Sequence, residues 1–512
     1  GNINFNDKSI VLASRILESG DTTYVDSTII EGTVTINDGV DSTALFSGFT
    51  ITGDHTERGL DILSDHNVLI ERVNVLGVGG VHVNNATVRL YDMTIKHNTR
   101  TDAGGGIKIY NSTTDLVNVL IDSNASTSSY GGGVMIEQSA VTMNEVTIVN
   151  NTSSASGGGI YNHDNSMLNI TNSQVLGNSS NSTGGGIYNE ENCNLFLEDV
   201  QVDFNSGTYG GGLTNRGFYS IKESSFEGNI ATGDHGGGIY SQSGNQSDIP
   251  DTLYQCIIKG NESRGNGGGL YLASNQALHM VNTLVSDNTA GETDGNNGQG
   301  GGIYGGNGAQ VGYSYFINCT IANNSVLGSG NQSGGGFYGG DGNNRFINTI
   351  IWHNQSNNTS GGGYDFVTSN IGGVGSTLDT DPLFVDMYAG NYRLSNFSPS
   401  IGTGTLEGAP STDLVGDLRP QPEGSNPDMG AYENVLGQRL LGATYYVSTL
   451  GSDTSNGTLI SPFSTIQQGV DAAWNGDTVI VYPGTYGGNI NFNDKSIVLA
   501  SRILESGDTT YV

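Results

Sequence analysis

Ionisable side chains are sparse in this chain and follow no regular spacing. Removal of a proton from a sugar acid requires a base, usually Lys or Arg, together with groups or a cation that neutralise the charge of the substrate. The 512 residues include 18 Lys and Arg. Those in the repetitive middle of the chain share no position of the repeat, among them Arg72, Lys96, Lys108, Arg216, Lys222, Lys259 and Arg264. We therefore predict no catalytic residue, with a lyase or hydrolase acting on polysaccharide as an alternative.

Paired carboxylates and histidines also lack the spacing of a metal site. We interpret the pair Glu190 and Glu191 as solvated turn residues. The histidines show none of the ligand spacings of zinc sites; among them are His82, His97, His163, His235 and His353. The loops 294–298 and 341–344 could hold calcium, although neither matches a repeated calcium-binding nonapeptide. The sequence predicts no cofactor and no metal, with calcium in these loops as a weak alternative.

Charge limits the partners of the protein. Asp and Glu number 50 against 18 Lys and Arg, and the formal net charge is −32. Such a surface disfavours nucleic acid, anionic membranes and polyanionic substrates, and it suits high solubility or neutralisation by divalent cations. No run of about 18 apolar residues occurs, so the sequence predicts no membrane span.

A Gly-Gly-Gly triplet recurs about every 26 residues, with longer intervals in later copies. Periods of this length are typical of solenoid proteins. A large apolar or aromatic residue follows each triplet. The triplets begin at Gly104, Gly131, Gly157, Gly184, Gly210, Gly236, Gly267, Gly300, Gly334 and Gly361, and the residues that follow them are Ile107, Val134, Ile160, Ile187, Leu213, Ile239, Leu270, Ile303, Phe337 and Tyr364.

Upstream of each triplet lies an asparagine with an apolar residue three positions before it. The asparagines are Asn98, Asn124, Asn151, Asn178, Asn205, Asn229, Asn261, Asn288, Asn324 and Asn354. Asparagine tolerates the turn conformation, and its side-chain amide can bond to the coils above and below. We therefore predict that these ten residues form a structural ladder inside a stack of coils.

The repeat predicts an all-β chain, a right-handed parallel β-helix solenoid with coils of about 26 residues. A coil of this length supplies three short strands separated by turns, and successive coils stack at about 4.8 Å. A leucine-rich-repeat horseshoe is the competing solenoid, but its repeat is rich in leucine and lacks the Gly triplet.

A row of tyrosines should line the outside of one sheet. Each follows the inward apolar residue after a triplet, so strand alternation directs its side chain outward. Stacked rings could bind sugars or a neighbouring fibre, or they could simply cover the sheet. These candidate contact residues are Tyr161, Tyr188, Tyr240, Tyr271, Tyr304 and Tyr338, with Thr214 interrupting the series.

The repeat resembles that of chlamydial polymorphic outer-membrane proteins and related β-helix surface proteins. The likeness covers about residues 70–365 and is most literal at Phe226, Glu227, Gly228 and Asn229. It implies a secreted scaffold, and it says little about activity.

The flanks carry a second resemblance. Residues 444–512, the opening segment, contain stretches at 445–453, 461–467 and 476–486 that are similar to the first part of pectin-lyase-like β-helix proteins. One short helix is predicted there, about 465–474, with Ser464 and Gln467 as a capping box. Residues 371–433, the closing segment, resemble the end of bacterial surface β-helix proteins through motifs at 381–385, 398–399 and 428–433.

Residues 1–25 occur again, letter for letter, as residues 488–512. The period of 487 residues indicates tandem modules, although an artificial overlap of the chain's own ends is an alternative. We assign 1–370 to β-helix coils, 371–433 to the closing segment, 434–443 to a short joint, and 444–512 to the opening segment and first coils of the next module.

The sequence thus favours a non-enzymatic structural repeat of an extracellular fibre or giant cell-surface protein, with further copies of itself head to tail as its partners. About fifteen to eighteen coils would add roughly 70 to 85 Å per module. The alternative is a multivalent carbohydrate-binding adhesin, with cell-surface or matrix polysaccharide as its partner, or a polysaccharide-cleaving enzyme.

Overall fold

The structure is a computed structural model that describes residues 1–507 other than 38, 41, 55–56, 64–66, 243–249, 274–276, 293–294, 296–297, 306–312, 329–332, 341–342, 374–377, 441, 475 and 494. Both loops predicted for calcium, 294–298 and 341–344, include residues outside this set. The chain divides into two compact units. The first comprises Gly1–Phe316, Ile321–Arg345 and His353–Asp365, and the second Ile317–Thr320, Phe346–Trp352 and Phe366–Val512. The predicted module boundaries remain predictions.

The chain folds as a right-handed parallel β-helix, as the repeat predicts. Sheet A, within the described residues, has 14 parallel strands, each paired with the equivalent strand of the next coil. Its strands are Ile3–Asn4, Val34–Ile36, Leu60–Ile62, Val81–Asn84, Ile107–Tyr110, Val134–Glu137, Ile160–His163, Ile187–Asn189, Leu213–Asn215, Ile239–Ser241, Leu270–Leu272, Ile303–Gly305, Phe337–Gly339 and Thr359–Gly361.

Sheet B carries the longest strands of the first unit. Several of them bend at an Asn or Asp with positive φ, such as Asn118 at 53° and Asn172 at 49°, a conformation that these residue types tolerate. Its strands are Val11–Ala13, Ile29–Glu31, Leu45–Thr52, Asn67–Leu76, Thr87–Lys96, Thr113–Asp122, Ala140–Asn144, Thr147–Val149, Met167–Leu176, Asn194–Asp203, Phe218–Lys222, Ser225–Glu227, Asp251–Tyr254, Ile257–Lys259, Leu278–Val281 and Leu284–Ser286.

Sheet C consists of two-residue strands that directly follow the ladder asparagines. They are Thr99–Arg100, Ala125–Ser126, Thr152–Ser153, Ser179–Ser180, Ser206–Gly207, Ile230–Ala231, Glu262–Ser263, Thr289–Ala290 and Ser325–Val326. The residues after the glycine triplets, from Ile107 to Phe337, are completely buried, so they form one row of the core between the three sheets. Later strands of the chain are Ser314–Ile317, Thr320–Ala322, Asn344–Ile347, Ile350–Trp352, Tyr364–Val367 and Asn370–Ile371.

The second unit contains the closing and opening segments. Phe384–Asp386 and Asn391–Leu394 form an antiparallel pair. Thr444–Val447, Thr478–Val481 and Val498–Ser501 form a parallel three-stranded sheet. Short helices of the chain are Ile16–Ser19, Thr23–Ser27, Ile466–Ala472 and Ile503–Ser506, with a 3₁₀ turn at Met387–Ala389.

The predicted helix of the opening segment exists, but its capping box does not. The helix spans Ile466–Ala472, and its N-cap is Thr465, whose hydroxyl accepts from the Gln468 amide at 3.2 Å. A capping box would require the Gln467 side chain to accept from the Ser464 amide, but this amide donates to Asp453 at 2.9 Å. The Gln467 side chain instead contacts Asp471 at 2.7 Å.

Candidate functional site

The ten ladder asparagines are stacked inside the coils, and each is less than a tenth exposed. Asn178 shows the pattern. Its amide N–H and its Nδ2 both donate to Asn205 Oδ1, at 2.9 and 3.1 Å, and its Nδ2 also donates to the Ile148 carbonyl at 2.9 Å. Its Oδ1 accepts from the amide and Nδ2 of Asn151. The side chain therefore satisfies two backbone groups of the preceding coil and bonds to the asparagine side chain of the next coil.

Replacement of Asn178 with Leu should lower the free energy of unfolding by about 1 to 3 kcal/mol, because buried amides and a carbonyl lose their partners. Guanidinium chloride titration measures this change. The control is Asn150→Gly, since Asn150 is exposed and glycine occupies the equivalent place at Gly177; we expect less than about 0.5 kcal/mol there. A loss of stability in Asn178→Leu no greater than that in Asn150→Gly would show that the ladder does not stabilise the fold.

The structure contains a second, shorter row of buried asparagines that the repeat did not lead us to predict. Asn162 Nδ2 donates to Asn189 Oδ1, and Asn189 Nδ2 donates to Asn215 Oδ1, each at 2.7 Å. All three residues are completely buried. The signal was present, since each follows an apolar residue and one further residue of sheet A, in the sequences Ile-Tyr-Asn, Ile-Tyr-Asn and Leu-Thr-Asn.

A buried carboxyl lies in the neighbouring part of the core. Asp251 Oδ1 accepts from the Tyr219 amide at 3.0 Å, and Oδ2 accepts from the Ser241 hydroxyl at 3.4 Å. Ser241 is the sheet A neighbour of Asn215. Burial raises the pKa of Asp251 to about 7, although both hydrogen bonds oppose the change.

Asp251 should make the protein more stable in acid. Between its ordinary pKa of 3.8 and about 7, the folded chain keeps a proton that the unfolded chain releases, so this stabilisation is full below the lower value and is lost as the pH rises through the upper one. Asp251→Asn should flatten this slope and raise stability at alkaline pH by about 2 to 4 kcal/mol. Denaturant titrations of both chains over a series of pH values measure the slope, and an unchanged slope in Asp251→Asn would contradict this role.

The tyrosine row stacks ring on ring along the outer face of sheet A. Centroids are 5.0 Å apart for Tyr161 and Tyr188, and 5.2, 4.7 and 5.1 Å apart along the series Tyr240, Tyr271, Tyr304 and Tyr338. The last four are half-buried. This second group forms a ribbon of stacked rings whose edges face outward, which we name the tyrosine ribbon.

Tyr161 and Tyr188 are more buried than strand alternation predicts, at 6 and 7% exposure. They cluster with Ala103 and Met135, and Tyr130 stacks against Tyr161 at 4.6 Å. Side chains from the triplet turns therefore cover this end of the row. Tyr161 and Tyr188 point outward from the strand as predicted by alternation, but neighbouring side chains shield them from solvent.

Ionisable groups gather where Thr214 interrupts the row. The neighbouring Tyr188 hydroxyl raises the pKa of Arg216, and Glu191 adds to the effect. The ring of His235 stacks on Tyr271 at 4.3 Å, and its Nδ1 accepts from the Asn266 amide at 3.1 Å. Burial lowers the pKa of His235, so this imidazole is neutral at neutral pH.

The acidic pair Glu190 and Glu191 is divided between two environments. Glu190 contacts the ring of His163 in the neighbouring coil, while Glu191 is exposed. Among the described residues, no group of three or more His, Cys, Asp or Glu is arranged to hold a metal ion. In the same part of the chain, no helix has the length and hydropathy needed to cross a bilayer.

The motif of the closing segment builds a buried ionic cluster. Arg419 Nε donates to Glu433 at 2.8 Å and its Nη2 donates to the Gly430 carbonyl at 3.0 Å, with neither charged side chain exposed. Burial raises the pKa of the adjacent Asp428 to about 8, and Glu433 adds to this effect. Asp413 accepts from the Glu433 amide at 3.0 Å. The cluster fixes the loops of the closing segment, and its burial separates it from any substrate.

A comparison with protein families agrees with this fold. Residues 79–253 match the family model for the right handed beta helix region. Among solved structures, the chain is similar to pectate lyase Pel9A, at 14% identity and a TM-score of 0.35, over 78% of this chain and 87% of that one. It is also similar to PfbA, a surface adhesin of Streptococcus pneumoniae, at 13% identity and a TM-score of 0.30, over 66% and 85%. No curated protein matches by sequence.

Proposed function

We propose that this chain is a non-enzymatic structural module of a long extracellular fibre or giant cell-surface protein, in which 487-residue copies follow one another head to tail. The observation that carries this proposal is that the closing and opening segments share one core. Leu383 and Phe397 of the closing segment pack with Tyr445, Phe463 and Val479 of the opening segment. A shared core holds the end of one module against the start of the next.

The joint at residues 434–443 is tied to both segments. Arg439 makes two contacts with the carboxylate of Asp477, at 3.0 and 3.1 Å, and lies over the ring of Trp474 at 5.2 Å. The Asp477 carboxylate also accepts from the Ala443 amide at 3.0 Å. On the other side, the Leu440 amide donates to the Asn396 carbonyl at 2.8 Å. These contacts favour a stiff connection, which serves a fibre better than independently moving domains.

Trypsin tests this connection on the intact chain. The Arg439 side chain is 11% exposed, whereas that of Arg15 is 70% exposed. The proposal predicts cleavage after Arg15 and resistance at Arg439 under native conditions. Rapid cleavage at Arg439 that leaves both products folded would show a flexible tether and contradict the fibre.

A carbohydrate-binding adhesin is the second candidate, and the tyrosine ribbon is the observation that favours it. Because the rings turn their faces to one another, the ribbon presents ring edges and hydroxyl groups at about 5 Å intervals, and these can contact the apolar faces and hydroxyl groups of sugars. Affinity electrophoresis in gels containing neutral polysaccharides tests it. Binding that is lost in Tyr271→Ala and Tyr304→Ala, and kept in the control Tyr91→Ala, would support the adhesin; Tyr91 lies on sheet B and is 37% exposed. Absence of retardation on all gels would remove this support.

A further inference from the structure

We infer that the segment occurring at 1–25 and 488–512, here named the repeated segment, is a shared coil. It stacks on the opening segment of one module through one edge and on the coils of the following module through the other. The β-helix would then continue through the joint without a break. This inference rests on the proposed function and names the partner surface, a second copy of this chain.

Between Phe5 and Ser19, the described residues of the second occurrence repeat the local structure of the first, although the strand Ile3–Asn4 has no counterpart at 490–491. A strand at Val11–Ala13 corresponds to one at Val498–Ser501, and a helical turn at Ile16–Ser19 to one at Ile503–Ser506. The turn before the strand also matches, since the Lys8 amide donates to the Phe5 carbonyl at 3.1 Å and the equivalent pair in the second occurrence is 3.0 Å apart. This part of the segment therefore folds in the same way beside the following coils and beside the opening segment.

The two strands use opposite edges. In the first, the Ile10 carbonyl accepts from the Leu45 amide at 3.1 Å and the Ser14 amide donates to the Ser47 carbonyl at 3.0 Å. In the second, the Val498 amide donates to the backbone carbonyl of Asp477 at 2.8 Å, and the Arg502 amide donates to the carbonyl of Val481 at 3.0 Å. Positions 498 and 502 correspond to 11 and 15. Because successive residues of a strand point their backbone groups to alternate sides, the two sets of bonds are compatible in one strand.

The start of the segment shows the same division. The amides of Ile3 and Phe5 donate to the carbonyls of Thr33 and Thr35, at 2.8 and 3.1 Å. The residue between them is equivalent to Asn491, whose amide donates to Gln467 Oε1 at 2.7 Å and whose carbonyl accepts from Gln467 Nε2 at 3.0 Å. A side chain of the helix Ile466–Ala472 therefore binds the backbone amide and carbonyl that do not pair with the following coil.

Burial of the side chains is complementary as well. Phe5 is 2% exposed and packs edge to face on Phe46, whereas the equivalent Phe492 is 40% exposed. Ile10 is 41% exposed, whereas the equivalent Ile497 packs against the core of the opening segment. A coil with both neighbours would bury both apolar positions.

Cysteine labelling tests this arrangement in a two-copy chain, residues 1–487 followed by residues 1–512. Phe492→Cys is introduced in the inner occurrence, and separately in the 512-residue chain. The shared coil predicts that maleimide labels the inner cysteine at least about tenfold more slowly than the one in the shorter chain. The matched control is Leu504→Cys, because this position is exposed in both occurrences, at 51% for Leu17 and 57% for Leu504; it should be labelled at the same rate in both chains. The native cysteines are buried and give little background.

Hydrogen exchange of the unsubstituted two-copy chain provides the second readout. The sequence of 495–502 occurs three times in this chain, so about one third of its peptide population should exchange more slowly than any in the 512-residue chain, since both strand edges are paired only in the inner occurrence. Because the following coil alone buries Phe5, either result can overturn the shared coil: fast labelling of the inner Phe492→Cys, or the absence of a slowly exchanging population. If electron micrographs of the same chain still show a straight rod, the proposed function stands; if they show two separate particles, both ideas fail.

Discussion

Replacement of Arg419 with Met should lower the free energy of unfolding of the closing segment by about 3 to 5 kcal/mol. The change leaves the Glu433 carboxylate buried without its cation, beside Asp428, and also removes the bond to the Gly430 carbonyl. Hydrogen exchange of peptides covering 400–434 would report the loss as faster exchange under native conditions. The effect is large because the remaining charge has no access to water.

A second substitution shows that the charge is the cause. Addition of Glu433→Gln to Arg419→Met should recover part of the loss, since glutamine removes the charge and keeps an acceptor for one of the two amides, of Gln421 and Asp428, that Glu433 binds. The control is Arg393→Met, which removes a pair with Asp417 that is about half exposed and should cost less than about 1 kcal/mol. A loss in Arg419→Met no greater than in this control would contradict the role of the cluster.

Replacement of Gly185 with Ala should lower the free energy of unfolding by about 3 to 5 kcal/mol. A Cβ atom there would lie 2.4 Å from the Ser206 carbonyl group and 2.5 Å from the Gly211 oxygen. Both belong to the backbone of the next coil, so the contact can be relieved only by moving coils apart. Denaturant titration measures the loss.

Gly177→Asn is the matched control for this substitution. Gly177 has φ of 60°, and a Cβ atom would meet only Asn150 Oδ1, at 3.2 Å. Asparagine occupies the same place in the previous coil, where Asn150 has φ of 55°. We expect a change of less than about 1 kcal/mol. Similar losses at both glycines would show that conformational freedom, and not space between coils, explains the triplets.

The coil and its asparagine ladder could be predicted because both repeat at a fixed interval. A ladder residue must occur in every coil at the same place, so the spacing of Asn98, Asn124 and Asn151 was enough to identify it. The three sheets and the buried row after the triplets follow from the same period. The fold is therefore encoded redundantly in the sequence.

Features formed by single residues were not predictable in this way. The burial of Tyr161 depends on Tyr130 and Met135, which occur at their turn and strand positions in only some coils. The capping box is absent because Asp453, eleven residues earlier in an irregular loop, binds the Ser464 amide that Gln467 would have to bind. The Arg419 cluster joins residues 11 to 20 positions apart in irregular loops, where no period indicates contact.

Electron cryo-microscopy of the two-copy chain tests the central claim, that modules join head to tail into a stiff fibre, most directly. The account predicts one unbroken rod that is longer than the 512-residue chain by roughly 70 to 85 Å, the height of fifteen to eighteen coils at about 4.8 Å. Density for residues 434–443 should be continuous with the coils on both sides. Two particles joined at variable angles, with these residues absent from the averaged density, would contradict the fibre and leave the carbohydrate-binding adhesin as the better account.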